Sequence, residues 1–272
     1  MDNITKKLNK IIYHSKPTLG IEEEEAVLEV IRSGKISQGS KVSEFENLVA
    51  SYIGKKYAIA VSSGLTALHL SLIGIGINEG DEIILPSYTC DALLQAVLYV
   101  GAKPVIVDVN YEDGNISFDS TLHFLSDRTK AIIMPHTFGF PADLRNFLNF
   151  NIPIIEDCAV AIGGSYRSRK LGSFGKISVF SFYSTKMIAT GEGGMILTDN
   201  KKIADEVREL RDYTKHTNFK IRYNYKMTDF EAALGICQMR KLEKFINQRK
   251  ILFAEYSKVL RENKNVILPV NI

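Results

Sequence analysis

Seven short apolar runs, each followed by a stretch of different period, constrain this chain more than any other feature. They occupy residues 57–62, 82–85, 104–107, 131–134, 153–156, 178–182 and 195–198. At four to six residues each they have the length of strands rather than helices. Between them, residues 66–73, 91–99, 143–150 and 201–211 repeat apolar side chains at helical spacing. Strands alternating with helices imply an α/β fold, here a seven-stranded, mostly parallel sheet with helices on both faces. In such a sheet ligands gather at the carboxyl ends of the strands. Residues 21–31 and 42–52 read as two helices ahead of the first strand. A long helical pattern runs from Thr228 to about Asn263, with a mild break expected at Gly235, and the chain stops soon after Val-Ile-Leu-Pro at 266–269. The expected division is a large domain over 14–227 and, over 228–272, a long helix that starts a smaller one. No internal repeat, low-complexity tract or flexible linker interrupts it.

Length and charge narrow the function. A chain of 272 residues has ample core for a buried ligand site. Its formal charge of +3 is spread along the chain, and pairs such as Lys201-Lys202 and Arg240-Lys241 read as solvated helix faces. Nothing calls for a nucleic-acid or anionic-membrane partner. No run reaches membrane-spanning length, and residues 1–7 lack the apolar core of a signal peptide, so a cytoplasmic protein is expected. Cys90, Cys158 and Cys237 are odd in number and widely spaced, which fits reduced thiols better than disulfides or a metal site. His14, His69, His123, His136 and His216 show no metal-ligand spacing.

Lys186 sits where such a sheet would present a reactive group. It lies among hydroxyls, between the run ending at Phe182 and the turn Gly191-Glu192-Gly193-Gly194 that opens the next run at Met195. A lysine in a partly desolvated pocket loses its proton more readily and attacks carbonyls, including the aldehyde of pyridoxal phosphate. Ser62-Ser63-Gly64-Leu65-Thr66 joins the first run to a helix through small and hydroxylated residues. Such a turn exposes N–H groups at a helix N-terminus, where the dipole favours a phosphate; the same residues also suit an ordinary helix cap. The spacing is neither that of a P-loop nor of a dinucleotide fingerprint, which argues against ATP and NAD. Asp157 closes another apolar run at a strand's carboxyl end, where a buried carboxylate needs a cationic partner. A protonated pyridine nitrogen is one such partner, and an arginine or a capped turn is another. Glu156, its neighbour, should point to the opposite face.

Eight segments in sequence order resemble the DegT/DnrJ/StrS family of pyridoxal-phosphate-dependent sugar aminotransferases, which have the aspartate aminotransferase fold, fold type I. They are Ser-Gly-Lys-Ile-Ser-Gln-Gly at 33–39, Val-Ser-Ser-Gly-Leu-Thr-Ala-Leu-His-Leu at 61–70, Pro-Ser-Tyr-Thr at 86–89 and Gly-Ala-Lys-Pro-Val-Ile-Val-Asp-Val at 101–109. The others are Pro-His-Thr-Phe-Gly at 135–139, Ile-Glu-Asp-Cys-Ala at 155–159, Phe-Ser-Phe-Tyr-Ser-Thr-Lys at 180–186 and Tyr-Asn-Tyr-Lys-Met-Thr-Asp at 223–229. The resemblance implies that Lys186 is the Schiff-base lysine and proton shuttle and that Asp157 pairs with the pyridinium. It assigns the phosphate to Ser181 and the backbone around Gly64, Leu65 and Thr66, with Ser63 and Tyr183 also in the cofactor site. Asn224 matches an asparagine that reaches the phosphate of a neighbouring subunit, which implies a homodimer with shared active sites; read alone, it is a turn residue between two tyrosines. His136 is placed to line the cofactor site, a structural histidine being the other reading.

Three departures accompany the resemblance. Cys90 stands where many members place an aromatic residue over the cofactor, which leaves stacking to a neighbour such as Tyr88. Val160 stands where Gln or His commonly approaches the ring hydroxyl, and it forms no hydrogen bond there. The chain also ends where members usually continue into a strand-rich part of the small domain, so an incomplete small domain is expected. The implied reaction is transfer of an amino group, with glutamate as donor, to a keto group of a nucleotide-linked sugar. Two alternatives share the motifs: an impaired or split member with a cofactor-binding, regulatory or assembly role, and a sugar dehydratase. Lys186 argues against the dehydratase, because those relatives carry histidine in its place.

Overall fold

The computed structural model describes residues 13–214, 217–266 and 268. Residues 1–7, His216, Ile267 and Pro269, considered above, lie outside them. The seven apolar runs form one sheet of β1 (Tyr57–Val61), β2 (Glu82–Pro86), β3 (Lys103–Val107), β4 (Thr129–Pro135), β5 (Ile154–Asp157), β8 (Ile177–Ser181) and β9 (Gly194–Thr198), ordered β1-β9-β8-β5-β4-β2-β3. Pairing is parallel from β3 through β2, β4 and β5 to β8, and β9 runs against β8 and β1. Two apolar layers explain why the strands read as nearly unbroken apolar runs. Ile84 and Met134 pack with Phe45 and Phe147 on one face, whereas Ile83, Leu85 and Ile133 pack with Leu70 and Val97 on the other.

The helices are α1 (Ile21–Ser33), α2 (Ser40–Ile53), α3 (Gly64–Gly74), α4 (Asp91–Tyr99), α5 (Phe118–Phe124), α6 (Leu144–Phe147), α7 (Lys201–Arg211) and α8 (Asp229–Leu260). Their ends follow capping chemistry. Asn200 accepts the Lys202 N–H at 2.9 Å to start α7, and Glu231 accepts the Thr228 N–H at 2.7 Å to start α8. Asp229 also accepts N–H groups of Gly39 at 2.8 Å and Val42 at 3.1 Å, so the first residue of α8 caps α2.

Two local expectations are corrected, and two short elements are added to them. The helix expected over 143–150 shrinks to α6, and the following residues continue as tight turns, with the Phe150 N–H donating to Phe147 O at 3.0 Å. Asn146, Asn149 and Asn151 are poor helix formers there. Gly235 does not break α8. A Cβ at Gly235 would lie 2.6 Å from Phe45 Cζ, so the glycine admits the Phe45 ring against the helix. Neither α5 nor the small hairpin of β6 (Ser165–Tyr166) and β7 (Arg169–Lys170) stands out as a periodic segment. No helix among the described residues is long and apolar enough to cross a membrane.

Candidate active site

Strand register decides which distant residues meet. Pro135 pairs with Asp157, and Val61 and Ser181 both pair with Gly194, so the ends of β1, β4, β5 and β8 share one sheet edge with the start of β9. A cavity of about 520 Å³ opens at that edge, as expected at the carboxyl ends of parallel strands.

One wall is the turn from β1 into α3. The Ser63 Oγ accepts the Thr66 N–H at 3.1 Å, Thr66 Oγ1 accepts the Ser63 N–H at 3.0 Å, and Ala67 N–H donates to Ser63 O at 3.1 Å. The N–H groups of Gly64 and Leu65 have no acceptor within the helix. Both residues line the cavity together with Ser63 and Ser181. Gly64 is required by close approach, since a Cβ there would meet Ser181 Cβ at 3.0 Å. Thr66 is not among the lining residues; its hydroxyl is engaged in the cap.

Asp157 forms the floor. It is 7% exposed, and its Oδ1 accepts the Ala159 N–H at 2.9 Å. Its other oxygen has no protein donor among the described residues. Burial pushes this carboxyl up from its ordinary value, while the Ala159 N–H, the charge of Lys186 and a smaller electrostatic contribution from His136 pull the other way. A cation placed in the cavity would stabilise its ionised form.

Glu156 does point to the other face, into a fully satisfied network. It accepts N–H groups of Gly172 at 2.8 Å, Phe174 at 2.8 Å and Gly175 at 2.5 Å. The His136 Nδ1 accepts the Ala142 N–H at 3.1 Å, so Nε2 carries the ring proton and donates to Glu156 at 3.1 Å. Burial pushes Glu156 up, but the His136 and backbone donors outweigh it and hold the carboxyl below its ordinary value. His136 therefore borders the cavity with a buried ring whose two nitrogens are both occupied. Cys158 brings its sulfur near this pair, the three ligand atoms lying within 4.8 Å of one another. Burial and the charges of Glu156 and Asp157 push its thiol well up, which disfavours the thiolate a metal would need.

Lys186 stands on the β8–β9 connection, and that loop is stapled rather than free. Phe182 N–H donates to Gly193 O at 2.9 Å, Thr190 N–H to Phe182 O at 2.8 Å, and Lys186 N–H to Tyr183 O at 2.9 Å. The half-buried Lys186 lines the cavity, and its amine has no hydrogen-bond or ion-pair partner among the described residues. Tyr183, Cys90 and Val160 line the same space. Asn224 does not; it is exposed on a segment bridged to Asp212.

Sequence reasoning left Phe138 and Glu192 without a role, yet both line the cavity. Phe138 adopts φ 53, a left-handed conformation that costs a non-glycine residue about 1–3 kcal/mol. It is 73% exposed, with its ring centroid 6.2 Å from that of Tyr88. The available signal was the glycine after it in Pro-His-Thr-Phe-Gly, which marks a turn.

The cavity offers N–H groups for a phosphate, a buried carboxylate short of partners for a basic ring nitrogen, and an amine for an aldehyde. Those donors fit pyridoxal phosphate, and the fold places the protein among the pyridoxal-phosphate-dependent transferases. More narrowly, the chain belongs to the DegT/DnrJ/EryC1/StrS aminotransferase family, whose profile matches residues 17–271. It is 36% identical over 266 residues to the GDP-perosamine synthase of Escherichia coli O157:H7, covering 94% of this chain and 72% of that one. The aminotransferase TlmJ of Streptoalloteichus hindustanus superposes with a TM-score of 0.92 at 29% identity, over 96% of this chain and 75% of TlmJ. The GDP-4-keto-6-deoxy-D-mannose-3-dehydratase of Escherichia coli, solved with bound hydrated pyridoxal phosphate, gives 0.85 at 27% identity, over 92% and 72%.

Proposed function

We propose that this chain transfers an amino group from glutamate to a keto group on a nucleotide-linked sugar. The observation that carries the reading is the amine of Lys186, without a partner among the described residues, on the same cavity as the Asp157 carboxylate, which accepts one N–H from them. The name GDP-perosamine synthase, borne by a relative over nearly the whole chain, supports a nucleotide-sugar acceptor. The family's cofactor, when bound, supplies an electrophilic aldehyde joined to an electron-withdrawing ring.

Each residue then has a task. Gly64 and Leu65 hold the phosphate through N–H groups at the positive end of α3, with Ser181 beside them. Asp157 keeps the ring nitrogen protonated, and its burial strengthens that pairing. Lys186 Nζ takes a proton from the donor carbon and returns one on the far side of the transfer, acting as base and then as acid. Tyr88 and Phe138 line the same cavity, their ring centroids 6.2 Å apart, and offer aromatic surface to the cofactor ring. Asn224 lies outside its own cavity, and its neighbour Tyr225 accepts the Ser62 N–H at 2.9 Å. The family resemblance of residues 223–229 supports a homodimer in which Asn224 serves the partner's phosphate. Residues 14–227 form the cofactor-binding domain on this reading, and 228–272 begin the smaller one.

The test is spectroscopic. The purified chain incubated with pyridoxal phosphate should develop the absorbance of lysine-bound cofactor, and Lys186→Ala should abolish it. Glutamate should then bleach that band. A band that persists in Lys186→Ala would refute the assignment of the lysine, and a band untouched by glutamate would refute the donor.

A further inference from the structure

Lys186 lines a second cavity as well as the first. This space, also about 520 Å³, lies between residues 13–18, the Lys186 loop and the face of α8 that carries Gln238, Phe245, Gln248 and Arg249. Its walls are tied together: Gln238 Nε2 donates to Thr18 O at 2.9 Å and to Glu23 Oε1 at 2.8 Å. The Glu23 carboxylate is in turn neutralised by Lys241 at 2.7 and 2.8 Å.

The two cavities differ in charge. Asp157 and Glu192 line the first. Lys16, Arg249 and His14 line the second, and among the described residues no Asp or Glu does. Neither Lys16 nor Arg249 has an ion-pair or hydrogen-bond partner for its charged group among the described residues. The second space therefore attracts an anionic substrate group through its side chains, whereas the first offers an anion the N–H groups at the start of α3, which the cofactor phosphate would occupy.

We propose that this second cavity is the carboxylate subsite of the amino donor, with Arg249 and Lys16 as its anion-binding residues. The inference rests on the amino-transfer reading above. Lys186 must reach the donor carbon that loses a proton, and the α-carboxylate is bonded to that carbon. A cation-lined space bordered by Lys186 is where that carboxylate belongs. The diphosphate of a nucleotide-linked sugar is also anionic, but it belongs to the acceptor and is not bonded to the donor carbon that loses a proton.

The test uses the full chain, with and without pyridoxal phosphate, and glutarate as a dicarboxylate that cannot react. Calorimetric titration should show glutarate binding that weakens about tenfold or more in Arg249→Gln and in Lys16→Gln, since each loses a charge-assisted contact. The lysine-bound cofactor band should be unchanged in both variants, which also reports that they fold. Equal glutarate affinity in wild type and both variants overturns the proposal. So does uridine diphosphate binding that weakens in the variants while glutarate binding does not, because the cations would then serve the nucleotide. Loss of the cofactor band in wild type with glutarate binding intact would count against the amino-transfer reading and leave the anion site standing.

Discussion

Replacing Asp157 with Asn should stabilise the cofactor-free protein and weaken its hold on the cofactor. The Asp157 carboxylate is 7% exposed and receives one protein N–H, from Ala159 at 2.9 Å. An asparagine keeps that acceptor and removes the buried charge. Because burial raises the folded-state pKa of Asp157, the group binds protons more tightly in the folded chain than in the unfolded one. Its cost to stability is absent below the unfolded carboxyl's pKa and complete above the folded one. At neutral pH, relieving it is worth on the order of 1 kcal/mol, or about 2–3 °C in the melting midpoint of a chain this long. With pyridoxal phosphate the sign reverses, since a charge-assisted hydrogen bond to the ring nitrogen is worth about 1.5–3 kcal/mol. The variant's Kd for the cofactor should therefore rise about ten- to a hundredfold. Thermal melts with and without cofactor read both effects, and the gain without cofactor should shrink as pH falls toward the ordinary carboxyl range. A lower midpoint for the cofactor-free variant would refute the view that the second oxygen of Asp157 lacks a protein donor among the described residues. Unchanged cofactor affinity would refute its role at the ring nitrogen.

Glu156→Gln should do the opposite. Its carboxylate takes four donors, and an amide nitrogen in place of either oxygen would face at least one of them; turning the His136 ring only moves the conflict to the Ala142 N–H. A loss of about 1–3 kcal/mol is expected in urea unfolding, because a buried donor is left without an acceptor. Because the folded pKa of Glu156 is depressed, its stabilisation is complete above the ordinary carboxylate value and disappears as pH falls through the folded one, so the acid limb of stability should flatten in the variant. Gly235→Ala pits helix propensity, about 1 kcal/mol in favour, against a Cβ 2.6 Å from Phe45 Cζ. Overpacking of about 1–3 kcal/mol should win, and the same substitution in a Phe45→Leu background should become neutral or stabilising.

The sheet was legible because burial on both faces makes each strand a short, nearly continuous apolar run, and all seven runs in the sequence became strands of one sheet. Period two also placed Glu156 and Asp157 on opposite faces correctly. What could not be read is anything fixed by the meeting of distant elements. Gly235 looks like a helix breaker until Phe45, from another helix, fills the space its missing side chain leaves. His136 is a plausible site residue in sequence, and only the register of β4 on β5 shows its ring committed to Glu156. Phe138 gives no local sign of a left-handed backbone, because aromatic side chains have no preference for that region. The cation-lined space beside Lys186 depends on Lys16 and Arg249, which line one cavity where Gln238 ties Thr18 to α8. Motif order can name the lysine, but the charge on either side of it, with Asp157 and Glu192 lining one cavity and Lys16 and Arg249 the other, is a property of the folded chain.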